Sequence, residues 1–491
     1  FIVRDVQQNI YTIMVSHKGY VPVDSADTNA FLESRYLPGE RIIVRMTKGG
    51  VITGRVIDQN GQPIIGILVS AVRTHYHDGS RSYSGAEKDP IRTDDRGIYR
   101  IYGLVSGTYL VRAGGRTEGN DQYFINPYVN SPFIYYPSDQ RVTAKEIVVS
   151  GSTEISGIDI TFKPEIGNLI AGEVVGSTQQ SGDISVYLSE SGSGSIYDSV
   201  SVPASVDSAK TFAFTGIAEG EYEIAAIYAA SNGHRSISAI QQVTIKDHDV
   251  TGIRLSPRSA GSLAGRIVME NTSPQAASPE CQKSASPFQE ILVNFYKQGK
   301  PTAPLELALL PDPHASADEK GNFSINDLAP GEYEIRPWLP NDDLYLKSII
   351  KSNADKSTST QIVNTINIKA ASKTDGLVIT ISHGAAGFSG TVQADKTPQP
   401  TALQIYLVPA EADSGDNSFR YYQAVVDKNG SFTIKQVCPG QYWVIARSAS
   451  IDGDNTRASL RKEVEAAGKK IELKPCQRVQ NYVLGKSTVG Q

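Results

Sequence analysis

The sequence predicts an all-β chain made of tandem β-sandwich domains in a string. Three observations carry that expectation. A glycine flanked by alternating apolar residues recurs at VITGRVID (51), LIAGEVVG (169), SLAGRIVM (262) and GFSGTVQA (387). A second block is more regular: DDRGIYRIYGLVSGTYLVRA (94), DSAKTFAFTGIAEGEYEIAA (207), DEKGNFSINDLAPGEYEIRP (318) and DKNGSFTIKQVCPGQYWVIA (427). Composition agrees, because 43 glycines, 25 prolines and 24 tyrosines against 3 methionines favour short strands and tight turns over helices.

The elements follow in chain order within each repeat. Alternation around the opening glycine predicts a half-buried strand with a close backbone approach or bulge. A second apolar strand comes next, at ILVSAV (67), ISVYLS (184), ILVNFY (291) and LQIYLV (403). The Asp-x-x-Gly turn then uses the aspartate side chain as a cap and the glycine for positive φ. Gly97, Gly321 and Gly430 hold the turn position and Lys210 replaces glycine once; the tyrosine always lies twelve residues further on. Another glycine (Gly107, Gly220, Gly331, Gly440) makes the next corner, and the tyrosine two residues later (Tyr109, Tyr222, Tyr333, Tyr442) is expected to tuck under it as a tyrosine corner. Closing strands are SGIDITF (156), TGIRLSP (251), DGLVITI (375) and VQNYVLG (479); EIVVS (146) is expected to form a hairpin with the first of these.

Residues 1–48 align with the tail of another copy. Phe1 matches the aromatic after the turn, Asn9 the corner glycine, Tyr11 the corner tyrosine and ERIIVRM (40) the closing strand. The expected domains are therefore an incomplete sandwich at 1–48 and sandwiches at 49–164, 165–257, 258–383 and 384–491. Short linkers (KGG, PEIGN, PRSAG, HGAAG) predict a fairly stiff string. TRASLRKEVEAAG (456–468) is the expected helix, with Leu460 and Val464 on one face and Arg461 and Glu465 on a neighbouring one. GSRSYSGAEKDP, ESGSGSIYDS and KSNADKSTSTQ read as polar loops.

The formal net charge of −5, with scattered Lys and Arg, leaves no footprint for nucleic acid or an anionic membrane. No apolar run is long enough for a membrane span. The first twenty residues lack the layout of a secretion signal, so a mature form is expected. Three cysteines exclude a disulfide scaffold. The candidate bridge is Cys438–Cys476, with looping near KPCQR bringing the sulfurs together and Cys281 left unpaired. Asn271, Asn322 and Asn429 are candidate glycosylation sites in Asn-x-Ser triplets.

The pairing of ITGRVIDQNGQPIIGILVSAV with TDDRGIYRIYGLVSGTYLVRA resembles the carboxypeptidase regulatory-like domain. That is a transthyretin-like, Ig-like sandwich found in tandem in secreted proteins of Acidobacteria-type bacteria. IYYPSDQ (134), YLKSI (345) and KPCQRVQNYVL (474) share the likeness. The resemblance implies a passive β-domain in an extracellular or cell-surface bacterial protein, with no catalytic residues to carry over. Related pilin sandwiches carry a Lys–Asn crosslink, but Arg55, Glu173, Arg266 and Thr391 hold the first-strand positions, so none is expected here.

No nucleophile elbow, zincin motif, Walker loop or Cys-x-x-Cys pair occurs, so neither catalysis nor a cofactor is expected. His75 and His77 form a two-imidazole metal candidate without a third ligand, and DGDN (452–455) a calcium-loop fragment without its closing glutamate. Tyr135, Tyr136, Tyr421 and Tyr422 are candidates for stacking on surface glycans or for packing loops onto the sandwiches. The expected function is that of a structural subunit. Phe1, Val3, Val6, Tyr11 and Ile13 would form an assembly segment through which copies polymerise head-to-tail. A monomeric adhesion stalk, or an accessory region of a larger enzyme or receptor, is the alternative.

Overall fold

The computed structural model describes residues 2–7, 9–23, 35–76, 90–115, 127–138, 140–176, 182–193, 196–202, 210–231, 235–270, 288–298, 304–309, 313–351, 361–392, 403–411, 417–427, 429–448 and 457–484. From residue 50 onward the chain builds four β-sandwiches. In each, the opening strand (Gly50–Ile57, Asn168–Val174, Gly261–Glu270, Ala386–Val392) pairs antiparallel with the strand after the Asp turn (Ile98–Leu104, Thr211–Ile217, Asn322–Leu328, Ser431–Val437). On its other side it pairs parallel with the closing strand (Ile160–Thr161, Val250–Leu255, Lys373–His383, Arg478–Leu484).

The second sheet joins the second strand (Leu68–Tyr76, Gly182–Glu190, Leu292–Lys297, Leu403–Pro409) antiparallel to the tyrosine strand (Gly107–Ala113, Gly220–Ala230, Gly331–Trp338, Gly440–Ser448). The opening, second, post-turn, tyrosine and closing strands thus alternate between sheets, and each alternation in the sequence turns one apolar face inward. The result is a separate core per sandwich, exemplified by Ile52, Tyr99 and Val111; Phe214, Val186 and Ile224; Phe295, Ile335 and Ile379; and Phe388, Ile405 and Val444.

The repeated opening glycine has a steric cause. Gly54, Gly172, Gly265 and Gly390 each lie opposite the aromatic after the turn, Tyr99, Phe212, Phe323 and Phe432. A Cβ there would fall 1.9–2.7 Å from a closing-strand carbonyl oxygen, that of Ile158, Ile253, Leu377 or Tyr482. The ring covers the space the missing side chain leaves, and Tyr99 also donates its hydroxyl to Ile158 O at 2.5 Å. The turn aspartates act through one oxygen. Asp94 Oδ1 accepts from Arg96 N and Ile98 N, Asp318 Oδ1 from Lys320 N and Asn322 N, and Asp427 Oδ1 from Asn429 N and Ser431 N, all at 2.7–3.0 Å.

Two sequence expectations are corrected. EIVVS is no hairpin partner of the closing strand, because Ile147–Val149 pairs with Gly107–Ala113 while Glu154–Ile155 and Ile160–Thr161 pair with Gly50–Ile57. The turn between them crosses from one sheet to the other. The end of ESGSGSIYDS is strand rather than loop, since Ile196–Val202 edges the sheet beside Gly182–Glu190. Its outward serines and aspartate disguise an inward Tyr197 and Val202.

Two α-helices are present among the described residues. The expected helix runs Arg457–Ala467 (α2); its Leu460 and Val464 pack on Val408 and Ile445, and Arg461 lies 3.4 Å from Glu465. The sequence reading missed Pro304–Leu309 (α1).

Candidate functional site: corners, junctions and an open N-terminal face

All five corner tyrosines donate to the carbonyl four residues earlier. The distances are 2.7 Å for Tyr109 to Val105, 3.0 Å for Tyr222 to Ala218, 2.8 Å for Tyr333 to Ala329, 2.5 Å for Tyr442 to Cys438 and 2.9 Å for Tyr11 to Gln7. Tyr109, Tyr222, Tyr333 and Tyr442 are buried, and burial pushes the hydroxyls of Tyr222 and Tyr442 above the ordinary phenol range. A buried hydroxyl that stays protonated is a permanent donor, so the Tyr222 and Tyr442 bonds hold at any physiological pH. Gly220, Gly331 and Gly440 take φ of 155°, 150° and 151°, while at Gly107 a Cβ would sit 2.7 Å from His75 O. In the N-terminal segment Asn9 Oδ1 accepts from Ile10 N at 2.8 Å.

The junctions between sandwiches are packed. At the first, Leu110, Phe133 and Tyr135 join the core of the second sandwich. Tyr135 donates to Glu190 Oε2 at 2.9 Å, and Arg141 lies 3.3 Å from the same oxygen. Arg112 sits 3.8 Å over the Phe133 ring. Burial raises the Glu190 pKa, with Arg141 and Arg112 opposing it. At the second junction α1, an insertion of the third sandwich, lies on the outer face of the second. Leu305 and Leu309 cover Ala225 there, and Glu223, 1% exposed, accepts from Leu305 N at 2.9 Å. At the third, Arg478 donates to Ala385 O at 2.7 Å and Asp342 O at 2.8 Å, and Lys435 pairs with Asp342 at 3.0 Å. Glu223 and Leu305 escape a sequence reading because each finds its partner in another sandwich.

The cysteine expectation is overturned. Cys438 is a free thiol and Cys476 is disulfide-bonded, so the two do not pair with each other. They flank the start of the last sandwich's opening strand from its two sides: Cys438 follows Val437, which pairs with Ala386, while Cys476 N donates to Gly384 O at 3.0 Å on the closing-strand side. Burial pushes the Cys438 thiol pKa up. Cys281, Asn271, Phe1, His77 and 452–455 lie outside the described residues. His75 contacts Thr74 Oγ1 at 3.1 Å, and among the described residues no three His, Cys, Asp or Glu side chains converge as metal ligands. Asn322 and Asn429 are exposed at their turns, with Asn322 Nδ2 bonded to Asp318. Tyr135 is buried, and the half-buried Tyr422 accepts from Cys438 N at 2.8 Å, so both pack structure rather than present free rings.

The N-terminal segment is different in kind. Among the described residues its pairing is one short ladder, Tyr20–Pro22 against Met46–Lys48, plus two bridges, Tyr11 with Tyr36 and His17 with Tyr20. Val21 is its buried hydrophobic residue. Ile2 (79%), Val3 (78%), Met14 (80%) and Ile43 (68%) are largely exposed, and Val6, Tyr20 and Val23 are also exposed; Tyr11 and Ile13 are intermediate. Half of the large exposed hydrophobic side chains among the described residues therefore fall in this one segment, a concentration typical of an interaction surface. Among the described residues no helix is long and apolar enough to cross a membrane.

No family model and no curated protein sequence matches the chain. Among solved structures it is similar to the TIE protein of Bacillus anthracis, with 10% identity, 90% of this chain and 70% of that one covered, and a TM-score of 0.17. It is also similar to BcpA, the major pilin subunit of Bacillus cereus, at 13% identity, 68% and 100% coverage and a TM-score of 0.15. The Streptococcal ancillary pilin gives 10% identity, 68% and 99% coverage and a TM-score of 0.22.

Proposed function

We propose that this chain is a non-catalytic extracellular structural protein. Its stacked sandwiches form a rod, and strands from a neighbouring copy complete the N-terminal half-sandwich, joining copies head-to-tail into a pilus-like filament. The observation that carries the reading is the open apolar face at residues 2–23 and 40–48 beside four sandwiches with closed cores. Covering Ile2, Val3, Met14 and Ile43 contributes roughly 1.5–3 kcal/mol per side chain, enough to offset much of an association cost of about 4–15 kcal/mol. The packed junctions support a rod that carries load.

Negative-stain microscopy of the natural protein, with its intact mass, tests the proposal. Filaments with a repeat near one chain length are expected. Isolated rods at high concentration would instead favour a monomeric stalk.

A further inference from the structure

Four residues beyond the aromatic that follows each turn lie Gly103, Gly216, Asp327 and Gln436. All four have left-handed backbone, with φ of 71°, 72°, 63° and 55°. The opening strand slips register opposite each of them, between Gly50 and Val51, Asn168 and Ile170, Gly261 and Leu263, and Ala386 and Phe388. That is a β-bulge, a device that re-aims a side chain. Left-handed backbone is strained for residues with a Cβ, so Asp327 and Gln436 need a reason to be there.

The neighbouring sandwich supplies it. Gly216, Asp327 and Gln436 each lie against the segment that leaves the tyrosine strand of the preceding sandwich. A Cβ on Gly216 would be 2.8 Å from Asn130 C and 3.0 Å from Ser131 O, so backbone meets backbone there. Asp327 Oδ1 accepts from Arg235 N at 2.8 Å. Gln436 Nε2 donates to Leu339 O at 3.2 Å and to Asn341 O at 2.9 Å.

The two side-chain contacts have opposite hydrogen-bond polarity. The exit segment at Asp327 offers an N–H, which only an acceptor can meet. The exit segment at Gln436 offers two carbonyl oxygens, which only a donor can meet, and a carboxylate there would set negative charge against both. A third kind of joint has no side chain in it. At the glycine bulges the residue five before the opening glycine is also glycine, and a Cβ on Gly49 or Gly167 would be 2.6 Å from Gly103 Cα or Gly216 C. Beside Asp327 and Gln436 that position is Ala260 or Ala385.

We infer that the bulge residue is the specificity element of each joint, its hydrogen-bond polarity deciding which exit segment the sandwich can dock. The third sandwich fits an exit that presents an N–H, and the last fits one that presents carbonyls. A mismatched pair would leave polar groups facing like partners, and this penalty, more than the bond itself, keeps the sandwiches matched to their own neighbours.

Amide exchange followed by mass spectrometry on the full chain tests it. Gln436→Glu keeps the length of the side chain and turns a donor into an acceptor, while Gln436→Gly keeps the left-handed backbone and removes the contact. The glycine variant should speed exchange across 339–343 about two- to tenfold, the range for a neutral hydrogen bond, and the glutamate variant should exceed it. At the other joint the order reverses. Asp327→Asn retains an acceptor oxygen and should leave the Arg235 amide within about twofold of wild type, whereas Asp327→Gly should speed it about ten- to a hundredfold, the range for a bond to a charged group. The strands Gly331–Trp338 and Gly440–Ser448 should keep their protection in all four variants. Gln436→Glu exchanging like wild type, or Asp327→Asn as fast as Asp327→Gly, overturns the inference. Equal loss of protection in those strands and at the joints also overturns it, because the bulge residues would then support only their own sandwiches.

Discussion

The corner tyrosines show how much one hydroxyl does in this repeat. Each closes a loop of four residues onto a carbonyl, buried at Val105 and Ala329 and half-buried at Ala218 and Cys438. Replacing Tyr333 with Phe leaves Ala329 O unsatisfied in the core and should cost the third sandwich about 1–3 kcal/mol. Amide exchange on Gly331–Trp338 reads that loss locally, and the other sandwiches should keep their protection. The turn aspartates set an acid limit. Asp318 is held below the usual carboxylate range by the Asn322 side chain and backbone amide, and Asp94 chiefly by the Ile98 amide. Their folded pKa values lie below the unfolded ones, so the stability they contribute is present above about pH 4 and is lost as pH falls through the folded values. Asp318→Asn should flatten the acid limb of the thermal-melting profile and leave the neutral region's slope unchanged.

At the scale of elements, the opening glycine and α1 make opposite demands. Gly172→Ala would place a methyl 2.1 Å from Ile253 O, so the closing strand must move. A cost of about 1–3 kcal/mol is expected, seen as a lower urea midpoint for the second sandwich. Leu305 works across a junction. Leu305→Asp should release α1 from Ala225 and set a carboxylate near Glu223, broadening the angle between the second and third sandwiches in small-angle scattering while both sandwiches stay folded.

The repeat was legible in sequence because its signals are local: Asp94 with Gly97, Gly107 with Tyr109, and the glycine at 54 with its apolar alternation. What escaped was non-local. Nothing near residue 304 announces a helix whose apolar side rests on another sandwich. The edge strand Ile196–Val202 hides behind outward polar residues, and the Cys438–Cys476 pairing failed because sharing one end of a sandwich does not bring two thiols together when the opening strand runs between them. The left-handed backbone at Asp327 and Gln436, beside register shifts in the opposite strands, has no mark in the sequence, since neither Asp nor Gln signals a bulge.

For the whole molecule, four closed cores stand behind one open face. The junctions are held by side chains such as Glu190, Leu305 and Arg478 acting across sandwiches. The first junction should tighten on acidification. Burial raises the Glu190 pKa in the fold, so its favourable contribution is present below the unfolded value and is lost as pH rises through the folded one. Scattering across pH 4 to 8 should show the first two sandwiches growing more mobile toward the alkaline end. The most direct test of the open face is amide exchange at residues 2–23 and 40–48 of the natural protein as its concentration is raised. Protection there should grow with concentration while the four sandwiches stay unchanged; exchange independent of concentration would contradict completion by a second copy.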